Sequence, residues 1–471
     1  MNFSLLTTEL LTIGLALLLL VLDLLIPAKE SRRGVGYLAI IGLAGIIGYT
    51  FTLYGGRESF YQGLFVLDNY AVFFKQLFLI AALLTILFSF DYVERLRRWQ
   101  GEFYVLLVTT TVGMMLMASA NDFITLYVGM ELMTVTFFIL VGYVIGDGRS
   151  SEASLKYLII GAASSAVFLY GVSLVFGSTG SLALSEILTK AAYSPATLVG
   201  MAFVFVGFAF KVSAVPFHMW APDVYEGAPV PVTALLAMAS KAAGFAVLAR
   251  VSVQGLNGQV FNWILVAACL SALSILVGNL VAISQTNIKR MLAYSSIAQA
   301  GYILAGLAAG SQAGIKGLLF YAMLYVFANV GAFAVVTAVR LNEGSDDITA
   351  FGGLSRRSPM LAAVMTISLL SMGGIPTLAG FVGKFYLFSA AVESGLLWLA
   401  FLGFVMSMIS VYYYLMVVKA MYLYQPANPG QLEYSSPLGW AAFLSMALTV
   451  LFGIYPEPLA RLAGIAAKSL F

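Results

Sequence analysis

The stretch "FVGFAFKVSAVPFHMWAPDVYEGAPVPVTALL", residues 205–236, begins as an apolar membrane segment and then departs from that pattern. Lys211 lies inside the apolar run, Pro216 follows it, and His218 is the only histidine of the chain. A lysine at the centre of a membrane span costs roughly 2.5–3.5 kcal/mol on insertion scales. A charged residue beside a proline in an apolar helix therefore predicts a polar site within the membrane.

The composition around this stretch is that of a membrane protein. Of the 471 residues, 61% are hydrophobic and 10% are charged, whereas soluble proteins carry about 25% charged residues. We therefore predict an all-α polytopic membrane protein. The net charge of +3 gives no reason to expect a nucleic acid as a partner.

The sequence offers no recognisable place for a redox cofactor, a metal or a nucleotide. Cys269 is the only cysteine, which excludes an internal disulfide and a cysteine-ligated iron–sulfur cluster. A single histidine cannot supply two axial haem ligands, and the glycine-rich nucleotide motifs are absent from the sequence. We expect no cofactor-binding and no metal-binding residues in this chain.

The first apolar run, Leu10–Ile26, follows Glu9 and precedes Lys29, Arg32 and Arg33. A signal peptide has its positive charges before the apolar region. The order found here predicts an uncleaved first span with its N-terminus outside the cytoplasm.

The apolar pattern predicts about 14 transmembrane helices, two of which are broken. Region 359–394 is too long for one straight span, and Gly373, Gly374, Pro376 and Gly380 should interrupt it. The predicted spans are 5–26, 35–54, 70–90, 102–119, 122–145, 153–177, 197–220 (broken), 229–253, 261–284, 290–309, 313–341, 359–394 (broken), 396–424 and 437–455.

The broken spans are the seventh and the twelfth. Successive spans alternate in direction, so two spans that are five positions apart in the chain order run in opposite directions. Spans 4–8 and 9–13 are therefore candidates for two inverted five-helix repeats. The corresponding division is an N-terminal three-helix segment (1–101), a first repeat (102–254), a second inverted repeat (255–424), and a C-terminal helix and tail (425–471).

The distribution of lysine and arginine predicts that both termini face away from the cytoplasm. The cytoplasmic side would hold Lys29, Arg32, Arg33, Arg95, Arg97, Arg98, Arg149, Lys289, Arg290, Arg340, Arg356 and Arg357. The outer side would hold Arg57, Lys190, Arg250, Arg461 and Lys468.

Four charged residues lie near the predicted centre of the membrane. At a rise of about 1.5 Å per residue, Glu131 is roughly 14 Å into span 5 and Lys241 roughly 18 Å into span 8. Lys211 is similarly deep, and Lys384 follows the break in span 12. For each residue alone, a structural ion pair stays open as an alternative. Four such charges, two of them beside helix breaks, favour an ion or proton pathway.

Three further lysines are closer to the span ends. Lys156 either snorkels to the interface or belongs to the pathway, and Lys75 and Lys316 are expected to snorkel.

The residues after the first break allow two interpretations as well. His218 is either an interfacial residue beside Trp220 or a proton relay, because imidazole titrates near neutral pH. Asp223 and Glu226 are expected on a loop that leads into span 8.

Several segments resemble the antiporter-like membrane subunits of the proton-pumping NADH:quinone oxidoreductase, respiratory complex I, and most closely the N branch of that family. They are "ELMTVTFFILVGY" (131–143), "SEASLKYLIIGAASSAVFLYG" (151–171), "KVSAVPFHMWAPDVYEGAPVPVTALLAMASKAAGF" (211–245), "NIKRMLAYSSIAQAGYILAG" (287–306) and "GGIPTLAGFVGKFYLF" (373–388). The resemblance covers nearly the whole chain. It implies fourteen helices, inverted repeats, and breaks in helices 7 and 12.

The resemblance also implies roles for individual residues. Glu131, Lys156, Lys211, Lys241 and Lys384 match the family's proton-translocation residues of spans 5, 6, 7, 8 and 12. His218 stays a candidate relay.

One departure from the family pattern lies in span 12. The family often has two prolines after the Gly-Ile pair, and this chain has Pro376 followed by Thr377.

Our hypothesis for Lys211 is a proton-carrying switch. Burial lowers the pKa of a lysine by as much as about 3–5 units in general. A Glu131–Lys156 ion pair would set the field at Lys211, since charges about 4 Å apart interact by about 4 kcal/mol at an effective dielectric of about 20. Moving one charge against about 150 mV costs about 3.5 kcal/mol. The free energy of opening one ion pair is therefore similar to the free energy needed to move one proton across the membrane.

The energy would have to come from partner subunits. The resemblance implies NADH, FMN, iron–sulfur clusters and quinone in those partners. It also implies the antiporter-like subunit M and the small membrane subunits as neighbours in the lipid bilayer, in a prokaryotic cell inner (plasma) membrane.

Three alternatives stay open. The chain could be a subunit of a cation/proton antiporter or of a membrane-bound hydrogenase-type complex. It could also be an inert structural spacer. Sodium flux, the identity of the soluble arm, and neutral replacements at Lys211 and Lys241 would distinguish them.

Overall fold

The computed structural model describes residues 3–27, 30–61, 63–96, 98–256, 260–426, 428 and 430–471. Two of the expected cytoplasmic cations, Lys29 and Arg97, lie outside the described residues.

The first half of the chain is a series of helices with one small hairpin. The elements are α1 (Thr7–Leu25), α2 (Arg33–Thr50), β1 (Glu58–Phe60), β2 (Phe65–Leu67), α3 (Asn69–Glu94), α4 (Gln100–Ser119), α5 (Phe123–Val141), α6 (Gly148–Thr179), α7 (Leu184–Lys190), α8 (Pro195–Lys211), α9 (Trp220–Gly227), α10 (Val230–Leu235) and α11 (Lys241–Gln254). A π-helical turn, Leu236–Ser240, joins α10 to α11. Short 3₁₀ turns at Phe3–Leu6 and Phe51–Leu53 precede α1 and follow α2.

The second half is helical in its described part. It contains α12 (Trp263–Ala282), α13 (Ile288–Ala308), α14 (Gln312–Glu343), α15 (Leu354–Arg357), α16 (Pro359–Gly373), α17 (Ala379–Glu393), α18 (Leu397–Leu423), α19 (Ser436–Ile454) and α20 (Glu457–Lys468), with a 3₁₀ turn at Ile348–Phe351.

The prediction of a helical membrane protein is confirmed. Within the described residues, twelve helical segments are long and apolar enough to cross a membrane. Two shorter apolar helices, Pro195–Lys211 and Pro359–Gly373, coincide with the first halves of the predicted broken spans. The number of fourteen spans and the inverted repeats stay predictions.

Both helix interruptions lie where the sequence predicts them. α8 ends at Lys211, and the next helix begins at Trp220. α16 ends at Gly373, where Gly374 turns the chain with a positive φ of 82°. Thr377 has a φ of 73°, a value that a proline ring cannot adopt. The second break is therefore built differently from a break that has proline at this position.

Side-chain caps fix where several of these helices begin. Asp122 accepts backbone N–H bonds from Ile124 and Thr125 at the start of α5. Ser194 caps α8 immediately before a proline at its first position. Both arrangements satisfy N–H groups that the first turn of a helix leaves without partners.

The centre of the molecule consists of the continuous segment Val230–Gln254 together with α13 and α14, which are buried along nearly their whole length. α1, α6, α12 and α19 are mostly exposed in their apolar part, as expected for helices that contact lipid. α6 and α8 approach closely, since a Cβ on Gly200 would lie 2.9 Å from the Gly171 carbonyl oxygen. Small residues at such crossings let helices pack in a membrane.

Two cations form buried ion pairs, and for one of them, Lys75, the expected snorkelling is wrong. Arg250, expected on the outer side, is 1% exposed and forms two 2.9 Å bonds to the Asp68 carboxylate. Lys75, expected to snorkel, is fully buried with its Nζ 2.8 Å from Glu9 Oε1. The Lys75–Glu9 pair joins two helices of the N-terminal segment, and the Arg250–Asp68 pair joins that segment to α11. Both pairs therefore stabilise the packing of helices within the protein.

Candidate functional site

Lys211 is the last residue of α8 and lies at the first helix break. It is 2% exposed, and its Nζ donates a 2.6 Å hydrogen bond to Thr134 Oγ1 on α5. Thr134 follows Glu131 by three residues on the same helix, so both side chains lie on one face. Glu131 is near enough for its charge to act on Lys211. The break thus places a buried amine within the field of the span-5 carboxylate.

Glu131 itself is held by a hydroxyl. Ser165 on α6 donates a 2.5 Å hydrogen bond to Glu131 Oε1. A hydroxyl can donate to the carboxylate or accept from the carboxylic acid. The site therefore suits both charge states of Glu131.

Lys241 follows the π-helical turn directly. It is 3% exposed, and its Nζ donates a 2.7 Å hydrogen bond to Ser296 Oγ on α13. The ring of Tyr225 lies 5.8 Å from the same nitrogen. A void of about 10 Å³ beside Lys241 is lined by Ser296 and Tyr325, which is the lower limit of size for a void that holds one water. π-Helical turns often occur at functional sites because they re-aim the residues around them.

Lys384 bridges the second break. Its Nζ donates 2.7 Å hydrogen bonds to the Met372 carbonyl oxygen and to Ser407 Oγ. The ring of Tyr302 lies 4.4 Å from this nitrogen. Met372 is in the last turn of α16, whose carbonyl groups have no partner further along the helix. The break therefore creates the acceptor that holds Lys384.

The three lysines share one electrostatic property. Within the part of the chain that the structure describes, none of them forms an ion pair, and their bonds go to hydroxyl and carbonyl oxygens. A buried ammonium without a counter-ion is costly, and desolvation disfavours its charged form. Such side chains are suited to gaining and losing protons.

Lys156 does not pair with Glu131, so the predicted ion pair between them is wrong. Its Nζ lies 2.8 Å from Asp223 Oδ2 and 2.8 Å from Glu152 Oε1. The Lys156 side chain is 42% exposed. The reason for the difference is that α9 continues past the first break and carries Asp223 towards α6, whereas the sequence had suggested a loop there.

Asp223 and Glu226 belong to a charged cluster at the end of α9. Both carboxylates accept hydrogen bonds from Arg290 Nη1, at 2.9 Å and 2.8 Å. With Arg149 and Lys156 they line a cavity of about 280 Å³. The sequence treated Arg290 only as a topological charge. Asp223 and Glu226, which are three residues apart just after the first break, are the feature of the sequence that could have indicated this cluster.

A second set of residues that the sequence did not single out lies beside Lys384. Gln299 donates to the Met372 carbonyl (3.1 Å) and to Tyr414 Oη (3.2 Å), and its Oε1 accepts a 2.5 Å bond from Tyr321 Oη. Tyr414 Oη also lies 2.5 Å from Ser295 Oγ. These polar groups extend from the Lys384 acceptor to the residue adjacent to Ser296, the partner of Lys241.

His218 lies in the first break and is half-buried. It is near enough to Lys241 for their charges to interact. Its Nδ1 is buried and has no hydrogen-bond partner among the described residues. Trp220, beside which the interfacial interpretation placed His218, is buried at 2% exposure, and the relay role of His218 stays a prediction.

Among the described residues, no group of three or more His, Cys, Asp or Glu side chains could hold a metal ion. Amines, carboxylates and hydroxyl groups such as those around Lys211, Lys241 and Lys384 can exchange protons.

A family model described as NADH:quinone oxidoreductase/Mrp antiporter, TM matches residues 120–410. This range contains Glu131, Lys156, Lys211, Lys241 and Lys384. NADH-quinone oxidoreductase subunit N of Heliobacterium modesticaldum is 58% identical over the full length of both chains.

Two solved structures have the same fold. One is a chain of respiratory complex I from Thermus thermophilus, with a TM-score of 0.84 and 32% identity, covering 97% of this chain and 99% of that chain. The other is a chain of the membrane-bound sulfane sulfur reductase, an archaeal respiratory membrane complex, with a TM-score of 0.90 and 25% identity, covering 100% of this chain and 98% of that chain.

Proposed function

Since the chain belongs to the family of NADH:quinone oxidoreductase and Mrp antiporter membrane subunits, we propose that its buried lysines and Glu131 move protons across the membrane. The chain is a membrane subunit of an NADH-quinone oxidoreductase, a multi-subunit translocating enzyme. The observation that carries the proposal is that Lys211, Lys241 and Lys384 are buried and form no ion pair with any residue that the structure describes. Lys211 and Lys241 lie at irregular parts of their helices, and Lys384 reaches across the second break to Met372.

The first step concerns Glu131 and Lys211. A negative charge on Glu131 stabilises the ammonium of Lys211, and protonation of Glu131 removes that stabilisation. Thr134 accepts a hydrogen bond from Lys211 and keeps the amine on the Glu131 side of α8. A change at Glu131 therefore changes the proton affinity of Lys211 without large movement of the helices.

The second step concerns Lys241 and Lys384. Lys241 donates to Ser296, and Lys384 holds the broken end of α16 through Met372. A proton that leaves Lys241 has the hydroxyl groups around Gln299 and Tyr414 between it and Lys384. The hydroxyl groups of Ser295 and Tyr414 accept and donate, so they can pass a proton. The Gln299 amide and the Met372 carbonyl, which join Tyr414 to Lys384, only orient their neighbours, so the last transfer to Lys384 requires a water.

Lys156 takes part through Asp223. The pair is partly exposed and shares its carboxylate with Arg290, so opening one contact leaves the other in place. We infer that this cluster, and not a Glu131–Lys156 pair, sets the charge at the end of α9.

The driving energy comes from partner subunits in this proposal. Those partners would hold NADH, FMN, iron–sulfur clusters and quinone, and the neighbours in the membrane would include subunit M and the small membrane subunits. The chain would lie in a prokaryotic inner membrane with both termini away from the cytoplasm. Moving one proton against about 150 mV requires about 3.5 kcal/mol.

The test is a Lys241→Met variant of the purified complex in sealed vesicles. We expect assembly to be retained, quinone reduction to fall, and proton uptake per NADH oxidised to fall further. Lys468→Met, at the C-terminal end of α20, is the matched control. Wild-type pumping in an assembled Lys241→Met complex would support the spacer alternative. Sodium flux in place of proton flux would support the antiporter alternative, and a soluble arm that does not oxidise NADH would support a hydrogenase-type complex.

A further inference from the structure

A cavity of about 750 Å³ lies between the loop that joins α3 to α4 and the loop that joins α5 to α6. Four helix ends surround it, at Glu94, Gln100, Val141 and Gly148. Because these helices cross the membrane, their ends lie at the boundary between the apolar layer and water. The cavity is thus at the level of lipid headgroups, and its volume is typical of a ligand site.

The lining of this headgroup cavity contains two arginines and one aspartate, which gives it a net positive charge. Arg95 and Arg98 both line it. Arg95 uses one N–H for the Leu341 carbonyl oxygen and keeps its charge for other partners. Arg98 is exposed, and in the part of the chain that the structure describes it has no hydrogen bond or ion pair. The acidic lining residue, Asp147, is engaged in capping α6.

Trp99 is held in place at the rim of the cavity. It is 44% exposed and has a positive φ of 57°, which is uncommon for a bulky residue and persists only where the surroundings fix it. Tyr143 provides that constraint, because its hydroxyl donates a 2.5 Å hydrogen bond to the Trp99 carbonyl oxygen. Tryptophan and tyrosine are the residues that anchor a protein at the membrane interface.

Tyr143, Val144 and Ile145 of the cavity lining follow the end of α5 at Val141 within a few residues. Val128, Val135 and Ile139 are exposed on α5, and Ile145 in the cavity lining is 74% exposed. A ligand that fills the cavity therefore meets both arginine side chains and the apolar side chains of Val144 and Ile145. This combination favours a lipid over a soluble anion or a polar protein segment.

We propose that the headgroup cavity binds an anionic phospholipid, with its phosphate between Arg95 and Arg98 and its acyl chains along Ile145 and α5. Basic pockets between membrane helices recognise such headgroups. Each arginine near the surface strengthens binding by about fivefold.

The test places a photoreactive residue at the rim of the cavity in the assembled complex, as Ile145→p-benzoylphenylalanine. The complex is reconstituted in phosphatidylcholine vesicles with and without cardiolipin, irradiated, and analysed by mass spectrometry. We expect cardiolipin to be crosslinked above its share of the bilayer. The Arg98→Gln change should lower this enrichment by about fivefold, and Arg95→Gln should lower it further.

Two controls identify the source of the signal. Arg57 is exposed and precedes α3, whose other end borders the cavity, so it lies on the opposite side of the membrane. Arg57→Gln should therefore leave the crosslink unchanged. The photoreactive residue at Ile454, 71% exposed, should report the bulk lipid ratio. Equal labelling of both lipids at position 145, enrichment that survives both glutamine changes, or crosslinking to another subunit would each overturn the proposal.

Discussion

Lys384 Nζ donates a 2.7 Å hydrogen bond to the carbonyl oxygen of Met372, across the break between α16 and α17. The carbonyl group belongs to the last turn of α16 and has no partner further along that helix; Gln299 is its other donor, at 3.1 Å. A lysine that satisfies a helix end and carries a proton has two separable tasks. The hydrogen bond needs only a donor, whereas proton transfer needs a donor that can become neutral.

Replacing Lys384 by arginine separates these tasks. Arginine donates hydrogen bonds but stays charged in proteins, so we expect Lys384→Arg to assemble and to lose proton translocation by about tenfold or more, because a positioned proton-transfer group contributes roughly a hundredfold to its step. The measurement is proton uptake per NADH oxidised in vesicles. Lys419→Arg, on an exposed position of α18, is the control. Normal translocation in Lys384→Arg would leave this lysine as a helix cap only.

The same logic applies to Lys211 with a different partner. Lys211→Arg should assemble and be impaired in coupled turnover, and Lys211→Met should be impaired at least as much. Thr134→Val removes the 2.6 Å hydrogen bond while keeping the amine, so we expect a smaller loss, within about tenfold, since a neutral hydrogen bond contributes about 1 kcal/mol. Native gels establish assembly before turnover is compared. A Thr134→Val loss larger than that of Lys211→Met would contradict the switch role.

Glu131 provides a test of electrostatic control. Glu131→Gln keeps the shape and the hydrogen bond with Ser165 but removes the charge that acts on Lys211. We expect an assembled complex in which quinone reduction and pumping both fall. Ser165→Ala, which changes the hydroxyl and not the charge, should have the weaker effect. Full pumping by Glu131→Gln would assign Glu131 a structural role.

The sequence was sufficient to predict the positions of the breaks because their causes are local. Pro216 and the Gly373–Gly374 pair act within a few residues of themselves, and an apolar run with a lysine in it is visible without a structure. The partners of the lysines could not be predicted in this way. Thr134, Ser296 and Ser407 are ordinary helix residues, and only the packing of one helix against another makes them hydrogen-bond acceptors.

The incorrect Glu131–Lys156 pair has the same origin. The pair was predicted only because Glu131 and Lys156 lie on neighbouring spans. The direction in which each side chain points also depends on the rotation of its helix, which the sequence does not give. The extension of α9 beyond the break then supplied a closer carboxylate, Asp223. Buried cations such as Lys75 were also misjudged, because a matching carboxylate on a distant helix leaves no signal in the local sequence.

Gly380 tests the geometry of the second break. A Cβ at this position would lie 1.9 Å from the Ser371 carbonyl oxygen, so Gly380→Ala forces the two half-helices apart. We expect it to destabilise the subunit by about 1–3 kcal/mol, the usual cost of overpacking, and to lower the thermal midpoint of the complex. Gly14→Ala is the matched control, since its Cβ would meet no atom within 4 Å. Equal midpoints for both variants would contradict the close approach of the half-helices.

The last prediction concerns the partner of Lys156, and a pair of double-mutant cycles tests it. Lys156 Nζ lies 2.8 Å from Asp223, and the two side chains are 42% and 35% exposed. Ion pairs between exposed side chains are only weakly coupled, because solvent screens them. Lys156→Met, Asp223→Asn and the double variant should therefore show a small coupling in the thermal stability of the complex. The control cycle combines Lys156→Met with Glu131→Gln and should show additive effects, because no contact joins those side chains among the described residues. High salt should weaken the first coupling, since exposed pairs are screened. A larger coupling of Lys156 to Glu131 than to Asp223 would show that the functional pair is the one implied by helix adjacency, and that the Asp223 contact is incidental.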